Sequence, residues 1–550
     1  MFILVKFLVA KYKKIEKRLE KHKYLLYNLV NERSNIQEVF MFKDIVAKKE
    51  VKFKDLEEEF FKLACSMVNE MFKVVLEKYD EEIMNTRDSS RFRHKGKAGT
   101  SIKTKTGLIE YERVKYIEKK EDGTTACRYL LDEELGITTV VGGHVSEGLI
   151  QLIVKNISEL SYRACSRMIE ECTGMTLSSV AIWNIIQSLG IKIAEYEDES
   201  IKAYEDGVLE KGTKETPAIF KEADGIMIVM QGTDRQKRIN EFKRKHPNEE
   251  VPKKVRNGEL KLGMTYEGWK EEGKNRYKLI GKEYVAGFMD GEKIAEIMRT
   301  KVYSKYDVSK IELNVTNSDG ANWIKRLVPK NGIYQADCYH LKEKIITNVR
   351  EKEDAEEIIK MYWNEKYAEM IEYVESLKYK YDGECEEVEK LEELKKYLNK
   401  RKDCMKRYNS SKEMKEKLKE YSKRTGLQYR NMGCQESNNY AKIARRFKKK
   451  RMSWKEKSAT NLAKVITTYA SESCKDIFKY LKVKVLPESF REYVEKYIEE
   501  IENNIRKMKR SKNSKKAQRD MSALKQGCIN GHPLIRKIFD NKEISELIYR

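Results

Sequence analysis

Residues 220–231 read FKEADGIMIVMQ, and this stretch decides the fold. Apolar residues alternate with other residues along it, which predicts a β-strand that carries Asp224. The small neighbours Ala223 and Gly225 leave room around this carboxylate. We therefore expect the strand to hold Asp224 on a rigid support beside an open space.

The segments downstream of this strand predict a mixed α/β core. Two more strands are expected at 261–269 and 277–288, a helix at 290–303, and strands at 311–315 and 332–339. Three strands in a meander, a helix, a strand, a short helix and another strand follow the order of the ribonuclease H-like fold. We predict a multidomain, α-rich α+β protein whose catalytic core has that fold.

A chain of 550 residues is too long for one compact core, and its composition changes along its length. The predicted regions are an N-terminal helical region (1–86), a small β-rich basic region (87–145), a helix-turn-helix-like DNA-binding region (146–200), the first part of the ribonuclease H-like core (215–345), a large helical insertion (346–430), the last helices of the core (431–480) and a basic helical tail (481–550).

The helix-turn-helix prediction depends on a few punctuating residues. Gly174 supplies the turn, Ser178 is the expected N-cap, and Gly190 is expected to end the second helix. The side chains expected to face inward are Val180, Trp183, Ile186 and Leu189, and those expected to meet a major groove are Ser179, Asn184 and Gln187. Two helices joined at a glycine are common, so a helix pair without a DNA contact is the alternative.

The chain carries a large positive charge, with 112 basic and 89 acidic residues and a net charge of +23. Such an excess is typical of proteins that bind a polyanionic partner. That partner is nucleic acid or, as the alternative, an anionic membrane surface. The apolar run at 1–10 is too short to span a bilayer, and its basic neighbours follow it, which does not fit a signal peptide. Ten cysteines without a C-x-x-C pair indicate reduced thiols. We expect a cytoplasmic, nucleoid-associated protein without a membrane partner.

Three acidic residues have the right chemistry for phosphodiester exchange. That reaction needs two Mg²⁺ ions about 3.5–4 Å apart, and Mg²⁺ prefers carboxylate oxygens. Asp224 lies in the first strand, Asp319 follows the fourth, and Glu436 opens the helix after the insertion. We predict that these three bind two Mg²⁺ ions, for which Mn²⁺ can substitute. Because Asp319-Gly320 is also a turn signal, a simple turn is the alternative for Asp319.

Two groups of basic side chains, one directly after Glu436 and one in a predicted hairpin, are candidates for phosphate contacts. They are Arg445, Arg446, Lys448, Lys449, Lys450 and Arg451 after Glu436, and Arg91, Arg93 and Lys95 in a predicted hairpin. A solvated helix end and a solvated hairpin are the alternatives. His340, at the end of a predicted strand, is a candidate to bind a phosphate or position the attacking group, with a structural role as the alternative. Cys338 has no second ligand pair nearby, which argues against zinc.

Over about residues 50 to 470 the chain resembles the bacterial insertion-sequence transposases of the ISLre-two family. The matching motifs are 91–97 (RFRHKGK), 130–136 (LLDEELG), 161–163 (SYR), 222–225 (EADG) through 230–232 (MQG), 319–325 (DGANWIK), 337–340 (DCYH), 436–438 (ESN), and 453–454 (SW) through 461–464 (NLAK). Ser318 stands where this family leads us to expect glycine, and the region after Asn461 matches less well.

The resemblance implies a DDE-type transposase that performs metal-dependent DNA strand cleavage and strand transfer at insertion-sequence ends. It implies catalytic roles for Asp224, Asp319 and Glu436, and it matches 337–340 to a C/D-x-x-H signature. The implied partner is double-stranded DNA, as terminal repeats and target, bound by a homodimer or higher oligomer. The alternatives are a non-catalytic DNA-binding protein derived from a transposase and a host nuclease on the same fold.

Overall fold

A computed structural model describes residues 52–120, 123–137, 139–140, 143–274, 276–381, 384–433, 443–448, 452–471 and 486–510. The fold is mixed α/β and rich in helix. Two compact units are distinguished among the described residues: one takes those within 52–69, 101–110 and 137–471, and the other takes those within 70–100, 111–136 and 486–510. No helix among the described residues has the length and apolarity needed to cross a membrane.

The helices and strands follow one another in chain order. The N-terminal elements are α1 (Phe53–Thr86), β1 (Phe92–Thr104), β2 (Gly107–Lys119), β3 (Thr125–Arg128), α2 (Leu130–Glu134), β4 (Thr139–Val140), β5 (Gly143–Val145), α3 (Glu147–Ile157), α4 (Tyr162–Cys172) and α5 (Ser179–Glu205). The remaining elements are β6 (Ala218–Val229), α6 (Gly232–Lys245), β7 (Asn257–Tyr266), β8 (Gly268–Gly273), β9 (Arg276–Ile280), β10 (Glu283–Gly287), α7 (Gly291–Lys305), β11 (Leu313–Ser318), β12 (Ile333–Ala336), α8 (Cys338–Asn348), α9 (Lys352–Trp363), α10 (Tyr367–Lys380), α11 (Cys385–Arg401), α12 (Lys412–Thr425), α13 (Arg445–Lys448), α14 (Glu456–Ala470) and α15 (Glu488–Arg510).

A five-stranded sheet in the order β10-β7-β6-β11-β12 forms the centre of the first unit. β6 and β7 are antiparallel, as are β7 and β10, whereas β6, β11 and β12 run parallel to one another. Phe220 of β6 belongs to a core that includes Leu462 of α14, while Ala223 of β6 belongs to one that includes Ile294 of α7. Successive side chains of a strand point to opposite faces, so helices cover both faces of the sheet.

The two strands predicted at 261–269 and 277–288 are each interrupted. β7 ends at Tyr266, and β8 and β9 form a separate antiparallel hairpin before β10 begins. The interruption is at Glu267, which is buried and accepts hydrogen bonds from Lys214 and from the Tyr306 hydroxyl. It faces Gly281, whose φ of +74° suits glycine. These partners come from distant elements, so local alternation could not predict the break.

The region predicted as a helical insertion is mostly helical where the structure describes it. The end of α8 and helices α9 to α12 occupy it, and within its described residues the isolated bridge at Gln428 is the only β-type pairing. The buried residues Leu341, Ile358, Val374 and Leu394 belong to a separate apolar cluster in this region. Helices α8 to α11 therefore bury an apolar stripe of their own, as amphipathic helices do, whereas Leu418 and Tyr421 of α12 belong to the core of the sheet.

Helices α3, α4 and α5 occupy the region predicted as helix-turn-helix. Ser178 caps α5, and its side chain accepts a hydrogen bond from the backbone N–H of Ala181. The prediction that Gly190 ends this helix is wrong, because α5 continues to Glu205. A Cβ atom on Gly190 would lie 2.5 Å from the Cα of Asn461 in α14. Glycine is needed here for close packing between two helices that are far apart in sequence.

The second unit contains the C-terminal part of α1, the beginning of β1 (up to residue 100), the end of β2 (from residue 111), β3, α2 and α15. Tyr79 of α1 packs against Phe490 of α15 with 4.8 Å between the ring centres. Asp80 is buried and accepts a hydrogen bond from the backbone N–H of Val114. Of the predicted N-terminal helical region, residues 1–51 lie outside the described residues, as do 511–550 of the predicted basic tail.

Candidate functional site: an acidic cleft on three parallel strands

Three aspartates come to the same level on neighbouring parallel strands. Ser318 of β11 is paired with Ala223 of β6 and with Ala336 of β12. The next residue along each chain is an aspartate, namely Asp224, Asp319 or Asp337. Neighbouring strands lie about 4.8 Å apart, so this register brings the three carboxyl groups to one region. The cleft there is lined by Glu222, Ala223, Asp224, Asn317, Ser318, Asp319, Asp337, Tyr339, His340 and Gly433.

Asp224 and Asp319 are half-buried, and each is held by local backbone hydrogen bonds. The Asp224 carboxylate accepts from the N–H of Gly225 at 2.7 Å, and that of Asp319 accepts from the N–H of Ala321 at 2.9 Å. Arg401, at the end of α11, donates to the main-chain carbonyl of Asp319 at 2.6 Å. Asp319 therefore lies in a turn and also lines the cleft, so the two interpretations of this residue do not exclude each other. Arg401, from the helical region, supports the turn.

Asp337 has a different role, since protein groups engage both of its carboxylate oxygens. Oδ1 accepts from the backbone N–H groups of Tyr339 and His340, and Oδ2 accepts from Asn317 at 2.5 Å. Asn317 in turn accepts from Gln335, which accepts from the backbone N–H of Tyr408. Asp337 therefore caps α8. It also belongs to a buried chain of hydrogen bonds that ends at Tyr408, between α11 and α12.

The predicted strand at 332–339 ends earlier than expected, which changes the setting of His340. β12 ends at Ala336, and the cap at Asp337 starts α8, so His340 lies in the first turn of a helix. Its ring lines the cleft, and Nδ1 lies 3.5 Å from the carboxylate of Glu343. The prediction of a histidine at a strand end is wrong, although His340 does lie beside the two candidate aspartates.

Glu222, to which the sequence assigned no role, is a fully buried carboxylate in the cleft. It accepts a hydrogen bond from the Tyr266 hydroxyl at 2.5 Å and one from the backbone N–H of Gly433 at 3.4 Å. Side chains two residues apart on a strand point to the same face, and Glu222 is two residues before Asp224. Strand periodicity was the signal that could have identified it.

The third predicted acid, Glu436, lies outside the described residues, as do Lys449, Lys450 and Arg451. Among the residues that the structure does describe, no three His, Cys, Asp or Glu side chains are grouped so as to hold a metal ion. Asp224 and Asp319 are the two predicted metal ligands that can be placed, and both lie in the cleft.

Cys338 is a core residue of α8. Its sulfur lies 3.0 Å from the Tyr362 hydroxyl, and burial raises the pKa of the thiol. Its side chain belongs to the apolar cluster of the helical region.

The groove-facing residues predicted on α5 are only partly available. Ser179 and Asn184 are half-buried, and Gln187 is buried, where it accepts from Asn461 at 2.9 Å and donates to the Ser458 carbonyl. The prediction for Gln187 is therefore wrong. The inward prediction is also wrong for Val180 and Trp183, which are 63% and 39% exposed. The buried apolar side chains between Ser179 and Gly190 are Ile182, Ile185, Ile186 and Leu189, because α14 lies against that side of the helix.

Arg446 is the second DNA-contact prediction that the structure overturns. Its side chain is buried, Nε donates to the Ile157 carbonyl at 2.9 Å, and the guanidinium lies over the rings of Tyr162 and Trp454. Burial lowers the pKa of this group. Its neighbour Arg445 is exposed and forms an ion pair with Glu159 at 3.0 Å. Lys448 is exposed.

Replacing Arg446 by alanine is expected to lower the free energy of unfolding by about 2–4 kcal/mol, because it leaves a cavity and an unpaired buried carbonyl. The matched change Arg445→Ala should alter it by less than about 1 kcal/mol, since exposed ion pairs contribute little. Urea denaturation of both variants measures the difference. Equal stabilities would contradict the structural role of Arg446.

The basic residues of β1 differ from one another. Arg91 donates to Glu118 at 2.5 Å and lies over the Phe92 ring, so its charge is already compensated. Arg93 and Lys95 are exposed. These two remain available for phosphate contacts, whereas Arg91 has a structural partner.

Comparison with known proteins gives a family but no activity. The model of the Uncharacterised protein family (UPF0236) matches residues 46–480. The chain is similar to the UPF0236 protein TTE0610/TTE0881/TTE1053/TTE2432 of Caldanaerobacter subterraneus subsp. tengcongensis, with 27% identity over 57% of this chain and 58% of that protein. It is also similar to the UPF0236 protein TTE2489 of the same organism, with 25% identity over 68% of this chain and 72% of that protein. The first of these matches spans a little more than half the length of the relative.

Proposed function

The chain belongs to the Uncharacterised protein family (UPF0236), and from that premise we propose that it is a DDE-type DNA transposase. The observation that carries the proposal is the position of Asp224 in β6 and of Asp319 directly after the adjacent parallel strand β11, where both line one cleft. Two half-buried carboxylates in one cleft repel each other unless a cation lies between them, so the arrangement favours metal-dependent chemistry.

The strand order supports a ribonuclease H-like core. The meander β6-β7-β10 places the first strand in the middle of the sheet, and β11 and β12 then add on its other side in parallel. This arrangement agrees with the order of elements that the sequence predicts for that fold. The β8–β9 hairpin and α6 are additions to it.

The donor chemistry at the cleft fits Mg²⁺. Asp224 and Asp319 supply carboxylate oxygens, which hard divalent cations prefer, and Glu436 is proposed as the third ligand. Two bound Mg²⁺ ions, or Mn²⁺ in their place, would polarise the attacking and leaving oxygens of phosphodiester exchange. Arg401 holds the turn that presents Asp319. His340, in the first turn of α8, is proposed to hydrogen-bond a phosphate oxygen or to orient the attacking group.

The proposed substrate is double-stranded DNA, as the terminal repeats of an insertion sequence and as target. The net charge of +23 and the exposed Arg93, Lys95 and Lys448 support a polyanionic partner. For the α4–α5 pair a helix-turn-helix role remains a proposal that rests on the accessible part of Ser179 and Asn184. Joining two DNA ends calls for at least two subunits, so a homodimer or higher oligomer on DNA is proposed.

The proposal is tested with purified protein and labelled duplexes that contain the boundaries of the DNA element encoding this chain. With Mg²⁺ or Mn²⁺ we expect strand cleavage at the boundaries and joined products after addition of target DNA, resolved on denaturing gels. Binding without cleavage under both metals would favour the alternative, a non-catalytic DNA-binding protein. Cleavage of any duplex without end preference or joining would favour a host nuclease.

A further inference from the structure

Helix α6 carries basic charge that the acidic cleft and the α4–α5 pair do not explain. None of its residues is fully buried, and residues 232–256 contain nine basic and four acidic residues. Within the described part of the chain, Lys237, Lys243 and Arg244 form no ion pair, whereas Arg238 pairs with Glu456 and Lys245 with Glu241. Clustered like charges repel one another, so an arrangement of this kind favours a polyanionic partner.

One side of α6 is nevertheless firmly attached to the protein. The Asp234 carboxylate accepts from the backbone N–H of Glu456 at the start of α14, at 2.9 Å. Arg238, four residues further along α6, reaches the carboxylate of the same Glu456 at 2.7 Å. Ile239 and Phe242 are half-buried on this side. These contacts fix which side of α6 faces away from the protein.

The outward side combines amide, hydroxyl and basic groups with one carboxylate, Glu241, at helical spacing. It presents Thr233, Gln236, Lys237, Asn240, Glu241 and Arg244, which line a shallow open surface. Gln236 donates to the Asn240 side chain at 2.8 Å, so the two amides lie side by side. Asparagine and glutamine pair with the major-groove edge of adenine, and lysine and arginine bind phosphates. An α-helix fits the major groove of B-form DNA.

The position of α6 is compatible with a duplex that also occupies the cleft. α6 begins eight residues after Asp224 on the same chain segment. A fully extended chain spans at most about 3.6 Å per residue, so the helix starts within about 29 Å of Asp224. One turn of B-form DNA is about 34 Å long. A duplex with a phosphate in the cleft therefore has a groove within reach of α6.

We propose that the outward side of α6 is a second surface for duplex DNA, distinct from the α4–α5 pair. Lys237 and Arg244 bind phosphates, and Gln236 and Asn240 contact base edges in the major groove next to the cleavage site. This inference rests on the proposed function for the identity of the bound polyanion, but it does not depend on strand cleavage.

The test uses the full chain and fluorescence anisotropy with a 30-base-pair duplex of mixed sequence, without divalent metal. Lys237→Ala/Arg244→Ala is expected to weaken binding roughly tenfold at low salt and to lower the salt slope by about 1.8, since each lost phosphate contact removes about 0.9. The matched control is Lys352→Ala/Lys360→Ala on α9, where both lysines are exposed but paired with glutamates. An unchanged affinity and slope in the α6 variant would overturn the proposal.

A second pair of variants tests groove contact separately from charge. Gln236→Ala/Asn240→Ala should leave the salt slope unchanged but reduce the preference for a selected sequence, obtained from a randomised duplex pool, by roughly 5- to 150-fold per lost base contact. Binding to A-form duplex RNA should not respond to this change, because its major groove is too narrow for a helix. Equal losses on DNA and RNA would overturn the groove assignment. A different outcome would separate the two proposals: the wild-type protein binds DNA, the α6 variants bind more weakly, and no element ends are cleaved. That result would contradict the transposase proposal but would support α6 as a DNA-binding surface.

Discussion

Replacing Asp224 or Asp319 by asparagine is expected to abolish strand cleavage and joining, with a loss of roughly a thousandfold or more. The amide has nearly the shape of the acid but lacks the negative charge that binds a divalent cation. Both side chains accept backbone hydrogen bonds that an amide oxygen can also accept, so the fold should be preserved. Cleavage of labelled element ends in Mg²⁺ measures the effect, and circular dichroism verifies folding.

The matched control is Asp206→Asn, which removes the same charge from an exposed position at the end of α5. That variant should cleave as the wild type does. His340→Ala should slow cleavage less, by about 10- to 100-fold, because it orients groups rather than binding metal. Ca²⁺ should support end binding but little turnover, since its longer and looser coordination misplaces the reacting oxygens. Full activity of Asp319→Asn would remove Asp319 from the site and with it most of the proposed mechanism.

Replacing Lys464 by methionine is expected to lower the free energy of unfolding by about 3–5 kcal/mol, because it leaves Glu197 as an unpaired buried charge. Lys464 of α14 and Glu197 of α5 form an ion pair in which both side chains are at least nine-tenths buried. The pair lies in the same α5–α14 contact as Gly190 and Gln187. The lost stability should therefore come from weaker packing between these two helices. Urea denaturation followed by tryptophan fluorescence measures the change.

The double change Lys464→Met/Glu197→Leu tests whether the loss of stability comes from the unpaired charge of Glu197 or from the lost packing of the lysine side chain. Replacing both members of a buried ion pair with apolar residues is often neutral or stabilising, so the double variant should regain most of the lost stability. If the single variant were as stable as the wild type, Glu197 would not be buried against Lys464 as described. If the double variant were no more stable than the single one, packing rather than charge would dominate this contact.

The sequence alone was sufficient for features that depend on neighbouring residues. Alternation predicted the strand that carries Asp224, and Ser178 was identified as a helix cap because its hydroxyl bonds to the third residue after it. The helical character of 346–430 followed from composition and spacing, because a helix is stabilised by contacts between residues three and four apart. The position of Asp319 directly after a strand was also predictable from the chain around it.

The tertiary structure decided the features that depend on residues far apart in the chain. Gly190 and Gln187 appeared to be a helix stop and a DNA contact, but Asn461, about 270 residues away, packs against both. The local sequence predicted that Arg446 binds phosphate, but in the folded chain it is enclosed by the Ile157 carbonyl and by the rings of Tyr162 and Trp454. Local patterns predict whether a segment forms a helix or a strand, because the hydrogen bonds and contacts involved lie close in sequence or repeat regularly. The side of a helix that is buried, and hence which polar groups remain available to a ligand, is set by the element that packs against it, and local spacing carries no record of that partner.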